Sequence, residues 1–117
     1  MIRRQADMRI QTREDMRGGK GTVTLRHYFE ADEIGADVRL CAQVTLPPGA
    51  GIGSHIHENE DELFIIHSGQ GVVEEGSSEI EVSAGDVTLT RHGEAHAIRN
   101  TGNTDLVFTG IITCYAK

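Results

Sequence analysis

Residues 49–66 read Gly49-Ala50-Gly51-Ile52-Gly53-Ser54-His55-Ile56-His57-Glu58-Asn59-Glu60-Asp61-Glu62-Leu63-Phe64-Ile65-Ile66, in which glycines and two histidines lead through a cluster of acids into an apolar, strand-like run. His55 and His57 are one residue apart. On extended backbone the side chains alternate with a period of two, so both imidazoles project to one face and can reach a single ion. Imidazole nitrogen together with carboxylate oxygen suits the first-row divalent metals. A third ligand can come from Glu58, Glu60, Asp61 or Glu62, and parity alone does not choose among them.

A second stretch, Gly85-Asp86-Val87-Thr88-Leu89-Thr90-Arg91-His92-Gly93-Glu94-Ala95-His96-Ala97-Ile98-Arg99-Asn100, adds another histidine between glycines and a closing strand. Here a resemblance becomes specific. The placement of Gly49, His55, His57, Glu62 and Gly69 fits the first motif of the cupins at every position. Gly85, Gly93, His96 and Asn100 resemble the second motif, with Arg91 standing where the family usually has proline. That departure removes the fixed φ of proline from a turn but touches no ligand position. The two motifs span residues 49–100, and the flanking strands extend the likeness over most of the chain.

The resemblance implies an all-β fold, a double-stranded β-helix or jelly-roll barrel of short antiparallel strands. It further implies one divalent transition metal per chain (Fe, Mn, Zn or Ni) on His55, His57, Glu62 and His96. If Glu62 points inward, Phe64 and Ile66 share its face, while Leu63, Ile65 and His67 face the other way. Both faces of this strand are apolar, so burial on both sides is expected, against a second sheet or a partner subunit. Small cupins commonly pair through their outer sheet, and a homodimer is expected here.

At 117 residues the chain is one domain, 1–117, large enough to bury a core without staples. Fourteen glycines and only two prolines point to many short strands joined by tight turns. Strands are expected over 22–29, 38–46, 87–90, 95–99 and 106–115, and Val72-Val73 with Ile80-Glu81-Val82 should flank a hairpin turn at 75–78. Residues 1–21 are an N-terminal entry segment without a predicted element. No helix of consequence is expected.

The formal net charge of −7 opposes binding to nucleic-acid phosphates and gives a membrane-surface role no support. Arg3 and Arg4 are followed by polar residues, which is not a signal or transit pattern, and no stretch has the length of a membrane span. Cys41 and Cys114 are read as free thiols of a cytoplasmic protein. A small-molecule ligand is the expected partner.

Other features have plainer readings. Gly18-Gly19-Lys20-Gly21 lacks the ending of a phosphate loop and reads as a mobile or turning entry. His67 and His92 are assigned surface or structural roles, and His27, remote from both motifs, is left out of the site. Glu58, Glu60 and Asp61 read as an acidic rim, one of which could orient a histidine from behind. Arg99 has the opposite parity to His96 and should point away from the cavity, leaving Arg91 as a partner for an anionic ligand. The expected cavity wall is Phe64, Ile66 and Ile98, with Gln43 on the polar face of its strand as a ligand-orienting group.

Four protein ligands on an ion that takes six leave two positions open, the mark of a catalytic rather than a closed structural site. The expected function is that of a metal-dependent enzyme on a small oxygen-rich metabolite, by dioxygenase chemistry or by isomerisation of a sugar or keto acid. The alternative is a non-catalytic binding or sensing protein. No catalytic base other than a metal-bound hydroxide is visible in the sequence.

Overall fold

A computed structural model describes residues 1–116. Its strands are β1 (Arg9–Glu14), β2 (Thr22–His27), β3 (Val38–Leu46), β4 (Gly51–Ile56), β5 (Glu60–Ser68), β6 (Gln70–Glu75), β7 (Ser78–Ser83), β8 (Val87–Thr90), β9 (Ala95–Asn100) and β10 (Leu106–Cys114). They form two antiparallel sheets, one in the order β1-β2-β3-β10-β5-β8 and the other β4-β9-β6-β7. Among the described residues the helical segments are 3-10 turns of three residues each, at Gln5–Asp7, Met16–Gly18 and Ala31–Glu33. Among the described residues no helix is long and apolar enough to cross a membrane.

The period-two pattern of the longer strands decides which side faces in. Along β5, Glu62, Phe64 and Ile66 are buried. From β10 come Leu106, Phe108 and Ile112, from β3 Ala42, Val44 and Leu46, and from β9 His96 and Ile98. These side chains fill the space between the sheets. Tight turns reverse the chain at glycines with left-handed backbone, such as Gly76 (φ 60°) between β6 and β7, a conformation that costs glycine nothing.

Antiparallel partners share a face of the sheet, and the register therefore fixes the outer surface of the larger one. Cys41, Ile111, Leu63 and Leu89 lie in one row across β3, β10, β5 and β8, and Gln43, Thr109, Ile65 and Val87 lie in the next. One expectation is corrected here. Gln43 lies on this outer side, so it does not orient a ligand in the barrel. On the same side of β5, Leu63 and Ile65 are half-buried within the chain, and their neighbours Val87 and Leu89 are 66% and 51% exposed.

The N-terminal segment is more ordered than its sequence suggests. β1 pairs with β2 along its whole length, Arg9 opposite His27 through Glu14 opposite Thr22. Its sequence, Arg9-Ile10-Gln11-Thr12-Arg13-Glu14, has one strongly apolar residue and lies at a sheet edge, so it lacks the alternation that marks a half-buried strand. The turn that follows, Met16–Gly18, packs directly on β4. Asp15 (φ 49°) and Arg17 (φ 55°) both adopt left-handed backbone, which is uncommon for residues with a side chain.

Glycines allow this approach. A Cβ on Gly19 would sit 2.2 Å from the carbonyl oxygen of Gly51, and one on Gly53 would sit 2.0 Å from that of Arg17. Gly19→Ala should therefore dislodge the turn and cost about 1–3 kcal/mol, the usual range for overpacking a filled space. Gly35→Ala, where a Cβ meets nothing within 4 Å, should leave stability unchanged in the same thermal melt.

Candidate metal centre

His55 and His96 are directly opposed in the pairing of β4 with β9, so the register carries both imidazoles to the inner face of the smaller sheet. His57 follows the last residue of β4. Its backbone is tied to the turn before β9, donating from its amide to the carbonyl of Glu94 and accepting at its own carbonyl from the amide of Gly93. Glu62 reaches the same point from β5 in the opposite sheet. His57, His96 and Glu62 are 2%, 1% and 5% exposed, and His55 is less deeply buried.

Each ring is held from behind. Nδ1 of His55 lies 2.8 Å from the carbonyl oxygen of Gly53, and Nδ1 of His57 lies 2.6 Å from Oε1 of Glu60. A carbonyl and a carboxylate only accept, so in the neutral rings both Nδ1 atoms carry the hydrogen and both Nε2 atoms keep a lone pair for an ion, whereas a protonated ring donates from Nε2 as well. Nδ1 of His96 lies 2.8 Å from the hydroxyl of Thr90, and the Phe64 ring stacks on this imidazole at 5.0 Å between centroids.

The free ends converge. Nε2 of His96 lies 2.9 Å from Nε2 of His57 and 3.2 Å from Nε2 of His55. Oε1 of Glu62 lies 2.8 Å from Nε2 of His57 and 2.9 Å from Nε2 of His96. Lone pairs pointed at one another across such distances repel unless a proton or a cation lies between them. Ligand atoms bound at right angles about 2.1 Å from one ion would be roughly 3.0 Å apart. The donor set, its spacing and its hydrogen-bonded backing therefore fit a divalent ion, and the four ligand atoms all lie within 4.8 Å of one another.

The electrostatics follow from the same contacts. Hydrogen bonding to Glu62 and, less strongly, to Glu60 raises the pKa of His57, whereas burial lowers that of His55. Burial works to raise Glu62, but hydrogen bonds from His57 and His96 outweigh it and hold the carboxyl below its usual range. Arg39 donates to both carboxylate oxygens of Glu60, at 3.0 and 2.8 Å, and with His57 brings its pKa down to about 2. Arg39, Glu60 and His57 thus form a chain of charge-assisted contacts that ends at the inward-facing Nε2 of His57. The acidic cluster that reads as a rim contains one such supporting carboxylate.

A cavity of about 210 Å3 opens above the cluster. His55, His57, Glu62 and Phe64 line it, as do Leu40, Phe108 and Ile112. Of the three residues expected in the wall, Phe64 lines this space, whereas Ile66 and Ile98 are buried in the core away from it. Arg91 is 67% exposed, pairs with Glu94 at 2.9 Å and is absent from the cavity wall, which corrects its expected role. Arg99 points outward to Glu74 and Glu79.

His92 accepts from the Asn59 amide, and His67 is bonded to Thr109 on the outer face, both structural positions. His27, left out on sequence grounds, is buried in the cavity wall with Nε2 3.0 Å from Oε1 of Gln11. Arg13, Met16 and Arg17 complete the mouth. Nothing in a motif marks these residues, because they come from the weakly patterned N-terminal segment. A larger hollow of about 370 Å3, beside the smaller sheet, has no histidine or cysteine in its wall.

A family model for the cupin domain matches residues 42–112. The chain belongs to the cupin family. It is 40% identical over 112 residues to the oxalate-binding protein of Thermotoga maritima, covering 96% of this chain and 93% of that one. It is also similar to a crystal structure described as a predicted oxalate decarboxylase of the same organism, with a TM-score of 0.93, 39% identity and coverage of 97% and 99%. KdgF from a Halomonas species shares the fold, with a TM-score of 0.79 at 16% identity over 100% of this chain and 96% of that one. The likeness to the Thermotoga proteins takes in the N-terminal segment as well as the cupin motifs.

Two predictions concern the backing of the ligands. Arg39→Ala and Glu60→Gln should each weaken metal binding by about 10–100-fold, measured by competition with a chelating dye, because outer partners orient ligands at that scale. His57 has a raised pKa, so it keeps its proton to higher pH than an ordinary imidazole, and a metal must displace that proton. Apparent metal affinity should therefore climb as pH rises through that pKa and level off above it, with proton release detectable in calorimetry in buffers of different ionisation enthalpy.

Proposed function

We propose that this cupin binds one divalent metal per chain on His55, His57, Glu62 and His96, and that its cavity takes a small anionic oxygen chelator of the size and charge of oxalate. The observation that carries this reading is the convergence of four candidate ligand atoms, those of His55, His57 and Glu62 at the wall of a cavity of about 210 Å3 and that of His96 beside them. Sites for drug-sized ligands run to roughly 300–1,000 Å3. The smaller volume suits a molecule of a few heavy atoms better than a sugar acid. The name of the 40% identical relative, oxalate-binding protein, supports the same class.

A bound divalent ion, whether Fe, Mn, Zn or Ni, would offer open positions to a chelating carboxylate and polarise it as a Lewis acid. The chain supplies the rest. Glu62 offsets positive charge at the floor, and the Arg39 and Glu60 pair fixes the His57 ring. Leu40, Phe64, Phe108 and Ile112 give apolar walls that strengthen electrostatic contacts within. One observation favours turnover as a second reading: burial and the nearby Arg9 lower the pKa of His27, giving a neutral imidazole in the same wall that can give or take a proton.

Calorimetry of reconstituted protein should show one metal per chain and oxalate binding that requires the metal. His55→Ala combined with His57→Ala should abolish both and keep its far-ultraviolet circular dichroism. Equal oxalate binding by metal-free protein would sink the reading. Oxygen uptake or carbon dioxide release on adding oxalate to iron- or manganese-loaded protein would establish turnover, and none with either metal would leave binding.

The second part of the proposal is a homodimer through the outer face of the larger sheet. Val87 and Leu89, exposed beside Leu63, Ile65 and Ile111, support it, since contiguous exposed apolar surface marks association sites. Sedimentation equilibrium should give a dimer, and Leu89→Glu should shift it to monomer. A concentration-independent monomer for the unaltered chain would refute it.

A further inference from the structure

We infer that Arg13 and Arg17, both from the N-terminal segment, form an anion clamp at the mouth of the cavity. They hold the outward carboxylate oxygens of a short dicarboxylate whose inward oxygens chelate the metal. The clamp rests on the proposed metal and chelator site and adds to it the residues that select charge.

The charge of the wall is the first ground for it. The chain as a whole carries −7, yet the cavity is lined by Arg13, Arg17 and Arg39 and by a single carboxylate, Glu62, which faces the histidines. Arg39 is engaged with Glu60. Among the described residues Arg13 and Arg17 have no ion pair and no side-chain hydrogen bond, whereas Arg3, Arg9, Arg39, Arg91 and Arg99 all pair with carboxylates. Among the described residues Arg4 and Arg26 form no ion pair either, but neither lines the cavity, so Arg13 and Arg17 are the unpaired guanidiniums at this opening.

The nearby acids are directed elsewhere. Between Arg13 and Arg17 the chain reads Glu14-Asp15-Met16. Glu14 accepts from the hydroxyl of Thr22 at 2.6 Å, and Asp15 accepts from the amide of Gly21 at 3.2 Å. The period of β1 puts Gln11 and Arg13 on one face and Thr12 and Glu14 on the other. The same alternation brings Arg13 to the cavity and keeps Glu14 out of it.

Backbone conformation is the second ground. Arg17 is left-handed (φ 55°, ψ 29°) in a segment that has glycines at positions 18, 19 and 21. Glycine would adopt that conformation without strain, so an arginine there bears a cost that makes sense where its side chain is used. Seating on Gly51 and Gly53, the residues that lead into His55, fixes the turn relative to the ligands. A planar guanidinium suits carboxylate oxygens because its donors match them in pairs.

The test is titration of the cobalt-loaded protein with oxalate and with acetohydroxamate, a singly charged chelator, followed by calorimetry and by the visible spectrum of the ion. Arg13→Gln with Arg17→Gln should weaken oxalate binding about 100-fold, at about tenfold for each charge-assisted hydrogen bond removed. It should change acetohydroxamate binding by less than about threefold on the same basis, and metal content should stay at one per chain. Arg13→Gln alone lies on a strand clear of the left-handed turn and provides the answer if the double variant does not fold. Oxalate affinity unchanged in a folded variant would overturn the clamp while leaving the chelator site standing. Failure of the unaltered, metal-loaded protein to bind oxalate at all would instead overturn the chelator reading, and the clamp with it.

Discussion

Four electron-rich atoms crowded into a buried space are the constraint around which this barrel is arranged. Three imidazole nitrogens and a carboxylate oxygen lie within 4.8 Å of one another, with His96 and Glu62 making contacts of 2.8–3.2 Å, and nothing in their chemistry attracts the nitrogens to one another. They stay together because each is anchored on a different part of a stiff frame. His55 and His96 are paired across β4 and β9, His57 is strapped to the turn at Gly93 and Glu94, and Glu62 is carried by the facing sheet. The hydrophobic core beneath, from Phe64 and Phe108 to Leu46 and Ile98, presses the two sheets together and so opposes the repulsion. A frame of this kind is prepared for a cation before one arrives.

The backing contacts decide how that preparation is directed. A carbonyl, a carboxylate and a hydroxyl occupy the three Nδ1 atoms, which leaves every Nε2 facing inward. Of these, the Glu60 contact is extended outward to Arg39, so the orientation of a buried ring depends on a residue at the surface of another strand. Such outward extension is common at metal sites, where the outer partners set ligand basicity as well as angle.

The sequence is most legible where chemistry and spacing coincide. The near-neighbour histidines, Glu62 and His96 are all in motif positions, and the strands with alternating apolar residues, such as Val38–Leu46, emerge with the expected bounds. Gln43 is easily misplaced because a strand with one wholly buried and one half-buried face offers two readings of polarity, and only the register against Thr109 shows which side it takes. Ile66 and Ile98 share faces with Glu62 and His96 but lie deeper, a distance along the barrel that parity cannot measure. β1 escapes sequence reasoning because its partner, not its own composition, makes it a strand. With β1 goes the whole upper wall of the cavity, including His27, whose position depends on that strand lying beside it.

This division of the cavity has a consequence for how such a protein can change. The floor is written between residues 55 and 96, and the mouth between residues 11 and 27. The two meet where the turn after β1 rests on the glycines of β4. Variation in the first strand can therefore reshape the mouth of the cavity while the four converging side chains stay as they are. In such a barrel, metal chemistry and molecular discrimination are free to drift on separate clocks, coupled by little more than the thinness of a few glycines.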